Sequence, residues 1–214
     1  MDDAAPDPVG ASGSGAPAAP AVVEAVLGDI TTQRLDAIVN AANGSLLGGG
    51  GVDGAIHAAA GPALLQECRQ VRRERWPDGL PVGLAQVTGA GALPSRWVVH
   101  TVGPNRHRGE TDPQSLASCF TESLAAAAEV GARSVAFPAV SAGIYGWDAD
   151  DVARIAIDSV RRVLAAGWSR HRSEPDLPDF TPGRWVSLQD IELVRFVLFS
   201  GRLLDAFDQA LRRE

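Results

Sequence analysis

Residues 38–54 read IVNAANGSLLGGGGVDG: an apolar strand, two asparagines, four consecutive glycines, an aspartate and another glycine. Four glycines in a row weaken helix and strand alike, so they mark backbone that must come close to something. Val52 to Ala60 (VDGAIHAAA) is helix material. The glycines therefore lead into a helix N-terminus, where free N–H groups and the helix dipole favour an anion. The stretch reads as strand, phosphate cradle and helix start.

A second stretch of the same kind lies downstream. SVAFPAV (134–140) is a buried strand, SAGIYGW (141–147) is a glycine-containing loop, and Asp148 can cap the next helix. Between the two loops, helices are expected at 52–60 and from Pro62 to about Arg73, strands at 86–90 and 97–102, and a helix from Pro113 to about Val130. A strand at 22–26 precedes them. A strand at 193–199 and a helix capped by Ser200 follow. Strands alternating with amphipathic helices predict a three-layer α/β domain with helices on both faces of the sheet. In such folds ligands lie at the carboxyl ends of strands, so both glycine loops can face one crevice. Two anion nests at one crevice suggest a diphosphate. DAIVN (36–40) is apolar enough to be a central strand.

The rest of the chain sets limits. Residues 1–20 are Ala, Pro, Gly, Ser and Asp and read as a disordered tail, with the domain over 21–214. Residues 167–186, with three prolines and mixed charge, read as a surface excursion. The hydrophobic fraction of 45% supplies a core, and no apolar run suits a membrane span or a secretory signal, so a cytoplasmic protein is expected. Cys68 and Cys119 read as buried thiols. A net charge of −7 without a basic cluster argues against non-specific nucleic-acid binding. All 19 basic residues are arginine. Without lysine the glycine loop is not a Walker A loop, and a lysine Schiff base is excluded. Gly49, Gly51 and Gly54 fit G-x-G-x-x-G, but eight residues separate them from the strand and the strand is the second one, which argues against a nicotinamide dinucleotide fold. No Cys/His cluster suggests a metal, and no cofactor is expected.

Gly28-Asp29-Ile30-Thr31, Val39-Asn40-Ala41-Ala42-Asn43, Gly48 to His57 and Ser141 to Gly146 occur in the order found in macrodomains. His100 to Pro104 and Phe137-Pro138-Ala139 also fit. The chain resembles the MacroD-type branch, which includes bacterial O-acetyl-ADP-ribose deacetylases. The resemblance implies a mixed central sheet in an α/β/α sandwich and an ADP-ribose cleft. It implies that Asp29 and Ile30 meet the adenine, with Phe199 beside it. Gly48, Gly49, Gly50, Gly51 and Val52 would hold one phosphate. Ser141, Ala142, Gly143, Ile144 and Tyr145 would wrap the other phosphate and the proximal ribose. Asn43 and Asp53 would face that ribose as the catalytic pair. The activity implied is removal of ester-linked groups from ADP-ribose: O-acetyl-ADP-ribose deacetylation, or release of mono-ADP-ribose from acidic side chains of modified proteins. The alternative is a non-catalytic ADP-ribose reader. Hydrolysis of ADP-ribosylated nucleobases through a lysine is disfavoured by the lack of lysine. Ala142 stands where many relatives carry threonine, and Trp147-Asp148 replaces a frequent aromatic-proline pair.

Each residue also has a plainer reading. Asp29 can cap a short helix, Asn40 can brace the loop, Asn43 can make a turn before Gly44, and Asp53 can stabilise its helix end. His57, one helical turn from Asp53, and His100 read as packed histidines.

Overall fold

The computed structural model describes residues 20–171 and 184–213. The expected tail at 1–20 lies outside them except for Pro20.

The elements follow the hydrophobic periods and punctuation of the chain. In order they are β1 (Val22–Leu27), β2 (Ala37–Ala42), α1 (Gly51–Ala60), α2 (Pro62–Glu74), β3 (Ala85–Gly89), β4 (Trp97–Val102), α3 (Pro113–Glu129), β5 (Ser134–Phe137), α4 (Ala149–Ala166), β6 (Trp168–His171), β7 (Arg184–Ser187), β8 (Leu193–Leu198) and α5 (Gly201–Leu211). Helix starts carry their own chemistry. Asp112 and Asp148 accept from the backbone N–H groups of Gln114 and Asp150, and Ser200 from that of Leu203. β5 is shorter than the expected 134–140, because Pro138 has no N–H to donate to a ladder.

Six strands form one mixed sheet in the order β1-β8-β5-β2-β4-β3. All neighbours are parallel except β3 against β4. β2 is central, as its apolar run implies. Strand alternation splits its side chains between two cores. Ala37 and Val39 face α3, α4 and α5, while Ile38 and Ala42 face α1 and α2. Asn40 has the parity of the second set. Helices thus cover both faces of a mixed sheet, and the α/β/α class holds.

Of the expected excursion at 167–186, residues 172–183 lie outside the described residues; its two ends are strands. β6 and β7 pair antiparallel, Trp168 with Ser187 through His171 with Arg184, and lie on α3. Both strands are four residues long and lack an apolar alternation, so periodicity does not reveal them. Among the described residues no helix is long and apolar enough to cross a membrane.

Candidate functional site

The first glycine loop is folded around one side chain, Asn43. Its Oδ1 accepts from the Ser45 N–H at 2.9 Å and from the Ser45 hydroxyl. Its Nδ2 donates to the Gly48 carbonyl at 2.9 Å and towards Asp53 Oδ2 at 3.3 Å. Each glycine that follows has a separate reason. A methyl group on Gly49 would stand 3.0 Å from both Asn43 Nδ2 and Asp53 Oδ2. One on Gly54 would stand 2.6 Å from the Gly49 carbonyl oxygen. Gly50 and Gly51 meet nothing within 4 Å and open towards solvent, and Gly51 has φ +62°. Gly50 caps α1 without a side chain, so the first N–H groups of α1 are free to meet an anion.

Asp53, in the first turn of α1, is 4% exposed. Asn40 Nδ2 donates to its Oδ1 at 2.8 Å. His57 Nε2 stands 3.5 Å from the same oxygen, within reach of an ion pair but without hydrogen-bond geometry. Burial pushes the Asp53 carboxyl above the usual carboxylate range, against the Asn40 hydrogen bond and the His57 charge, which pull it down. The group is thus an ionisable acid held in a dry, oriented setting.

The second loop is clamped from outside. Arg106 donates its backbone N–H to the Tyr145 carbonyl at 2.9 Å, and its guanidinium stacks 4.4 Å from the Trp147 ring centroid. Arg106 also pairs with Asp151 at 3.2 Å. Ser141 is a non-glycine residue at φ +66°, and a methyl group on Gly103 would stand 2.2 Å from its hydroxyl. Among the described residues no backbone carbonyl takes the N–H groups of Gly143, Ile144 or Tyr145.

The two loops line one cleft of about 610 Å³. Asn43, Gly49, Gly50, Gly51, Val52 and Asp53 contribute from the first loop and the start of α1. Ser141, Gly143, Ile144 and Tyr145 contribute from the second. Asp29, Ile30 and Phe199 also line it. Phe199, just past β8, is 78% exposed. Asp29 caps a 3-10 turn over Ile30–Thr32, its Oδ1 accepting from the Thr31 N–H and hydroxyl at 2.8 and 2.7 Å. The capping reading is therefore real, and Asp29 also lines the cleft. Two residues of the expected set, Gly48 and Ala142, do not line it. Gly48 turns the chain at φ +84° against the His57 ring instead, and the Ala142 methyl belongs to the edge of the core.

Sequence reasoning missed several lining residues. Ala41, Ala55, Gly103, Pro138, Ala139 and Val197 line the cleft without being singled out for it. It also took Asn40 only as a loop brace, whereas it holds the Asp53 carboxylate. The signal was parity: Asn40 shares a strand face with Ile38 and Ala42, so it points at α1. Among the described residues no three His, Cys, Asp or Glu side chains converge as metal ligands.

Fold and site define the class: a three-layer α/β/α protein with a backbone-lined cleft at the carboxyl ends of its parallel strands. The family model for the Macro domain matches residues 39–156, and the chain belongs to that family. A macro domain-containing protein of Streptomyces griseus is 50% identical over 190 residues, which cover 89% of this chain and 94% of that protein. An O-acetyl-ADP-ribose deacetylase of Klebsiella pneumoniae is 53% identical over 142 residues, covering 66% of this chain and 80% of the enzyme. The Oceanobacillus iheyensis macrodomain solved with ADP superposes with a TM-score of 0.75 at 37% identity, over 88% of each chain. The Trypanosoma brucei macrodomain in complex with ADP-ribose gives 0.71 at 33% identity, covering 88% of this chain and 68% of that one.

Proposed function

We propose that this chain binds ADP-ribose in the cleft and hydrolyses ester-linked groups from it. Substrates are O-acetyl-ADP-ribose or mono-ADP-ribose esterified to acidic protein side chains. The observation that carries this reading is a buried carboxylate, Asp53, held by two asparagine amides directly beside the glycine loop. Structural relatives solved with ADP and ADP-ribose support the ligand. The Klebsiella pneumoniae deacetylase supports the chemistry.

In this reading the glycine loop and the start of α1 hold one phosphate, Ser141 to Tyr145 hold the other, and Asp29, Ile30 and Phe199 receive the adenine. Asp53, helped by a substrate phosphate, takes a proton from a water. The water oxygen bonds to the acyl carbon, the acyl–oxygen bond to the ribose breaks, and the proton passes to the ribose oxygen. A positioned base of this kind contributes about 10²–10⁴-fold. The Asn43 amide is already bonded on both sides, so it acts by holding Asp53 and the loop rather than by orienting a ribose hydroxyl alone. The test is release of ADP-ribose from ester-linked mono-ADP-ribosylated protein. Turnover at the wild-type rate by the Asn43→Ala, Asp53→Ala double variant would overturn the assignment.

One observation favours the alternative of a non-catalytic reader. Both Asp53 oxygens have partners and the side chain is nearly buried, as expected of a residue that only shapes the loop. Calorimetric binding of ADP-ribose without turnover on several ester substrates would select it.

A further inference from the structure

Beneath the cleft, Asn40 and His100 are register partners on the neighbouring strands β2 and β4. Both are fully buried. The two hydrogens of the Asn40 amide nitrogen have two acceptors. One is Asp53 Oδ1 at 2.8 Å and the other is His100 Nδ1 at 3.2 Å. A neutral imidazole accepts at Nδ1 only when its proton sits on Nε2. On that side Nε2 is 2.9 Å from the Thr88 hydroxyl, which sends its own hydrogen to the Gly89 carbonyl at 3.1 Å. With Asp53 ionised, Asn40 thus donates both ways, to Asp53 and to His100, and His100 donates onward to Thr88.

The Asn40 oxygen is buried without a partner. The amide orientation is therefore set by the two acceptors facing its nitrogen, not by anything the oxygen gains. Rotating the amide would aim that oxygen at Asp53 Oδ1. Two acceptors can face each other there only if Asp53 carries a proton.

We propose that His100 is a positioning residue for the Asp53 carboxylate: by accepting from Asn40 it keeps the amide nitrogen turned to Asp53 and so favours the ionised base. This rests on the reading of Asp53 as the base of the ester hydrolase. The titratable groups facing the chain are few. From α1, His57 Nε2 stands 3.5 Å from Asp53 Oδ1. From α2, Cys68 Sγ stands 3.6 Å from His100 Nε2, with Glu67 next to it in sequence. From β3, the residues beside His100 are Gln86, its register partner, and Thr88, neither of them ionisable. Burial raises the Cys68 thiol to about 12 and lowers His100 to about 3. Both stay neutral while Asp53 titrates, so His100 works through its lone pair and not through charge.

The experiment follows the Asp53 carboxyl by ¹³C NMR titration in the full chain, alongside the pH profile of kcat/KM on O-acetyl-ADP-ribose. His100→Leu removes the acceptor; His100→Asn offers a side-chain oxygen near the Nδ1 position. The Leu variant is expected to raise the Asp53 midpoint by about one pH unit. Below that midpoint kcat/KM falls about tenfold, and activity recovers at higher pH. The Asn variant is expected to stay near wild type. An unchanged midpoint in folded His100→Leu, or an equal shift in both variants, overturns the proposal. A ¹⁵N spectrum of the wild-type imidazole decides the case where the Leu variant does not fold: Nε2–H at neutral pH supports the proposal and Nδ1–H overturns it. The titration needs no turnover, so a wild-type protein without ester hydrolysis would remove the functional reading while His100 is still tested.

Discussion

Glycine 49 sits where no side chain can be added without moving the Asn43/Asp53 pair. Its missing methyl would be 3.0 Å from an atom of each. Gly49→Ala is therefore expected to lower turnover on ester-linked ADP-ribose at least about tenfold while Tm changes by only a few degrees, because the loop lies on the surface. Steady-state kinetics and a melting curve check the two halves. Gly103 faces the second loop in the same way. A methyl there would collide with the Ser141 hydroxyl, which is fixed at φ +66° on the cleft wall. Gly103→Ala is expected to weaken ADP-ribose binding about tenfold or more in a calorimetric titration, with Asp53 untouched. Asp53 carries its own signature. Burial raises its pKa, so the base form appears only above the usual carboxylate range. The acid limb of kcat/KM is expected at higher pH than an ordinary aspartate would give, and Asn40→Ala, which removes the 2.8 Å donor to the charged form, moves it higher still.

Helix ends and loops carry most of what could be read in the chain without coordinates. Asp112-Pro113, Asp148 and Ser200 announce helix starts by capping chemistry, and each caps as expected. The glycine loops are legible because backbone close to a ligand excludes side chains. The β6–β7 hairpin is not legible: its four-residue strands lack period-two alternation, and their pairing partners are separated by intervening chain. Nor is the buried chain from Asp53 to Thr88. Asn40 and His100 meet only because β2 and β4 pair in one register, 60 residues apart in sequence, and a polar residue in an apolar run does not name its partner. Arg106 shows the same limit at the loop scale. As a residue it is one arginine in a basic turn; in the fold it stacks on Trp147 and pairs with Asp151 to hold the second loop. Arg106→Ala is expected to raise KM for ADP-ribosyl substrates about threefold to tenfold with kcat little changed, since it frees a binding wall and leaves the base in place. A stability loss of about 1–2 kcal/mol, read by urea unfolding, accompanies it.

Across the whole molecule, titration behaviour follows from which polar groups the fold buries and how it pairs them. His100 is buried neutral, and its pKa falls from the ordinary histidine value to about 3. Below pH 6.5 the unfolded chain binds a proton at this position that the folded chain does not. Stability therefore falls as pH drops from about 6.5 towards 3, at up to about 1.4 kcal/mol per pH unit. Asp53 acts with the opposite sign. Its folded pKa is raised, so between the unfolded value and the folded one the folded state binds more protons, and acid favours folding there. Asp36 acts lower still. It ties the strand starts of β2 and β5 together, its Oδ2 accepting from the Arg133 N–H, the Ser134 N–H and the Ser134 hydroxyl at 2.9, 3.0 and 2.9 Å. Those bonds outweigh its desolvation and lower its pKa, so its contribution is present above the unfolded value near 4 and is lost only as pH falls through the folded one. Removing it in Asp36→Ala strips a partner from three donors, two of them part-buried, and is expected to cost about 2–3 kcal/mol at pH 7. Asp36 titrates below this range, so urea unfolding at pH 7 and pH 5 reads the His100 contribution without it. Wild type is expected to lose about 1–2 kcal/mol over that interval. His100→Asn is expected to abolish it. A His100→Asn variant that loses as much stability as wild type between pH 7 and pH 5 would show that the imidazole is not held neutral in the core.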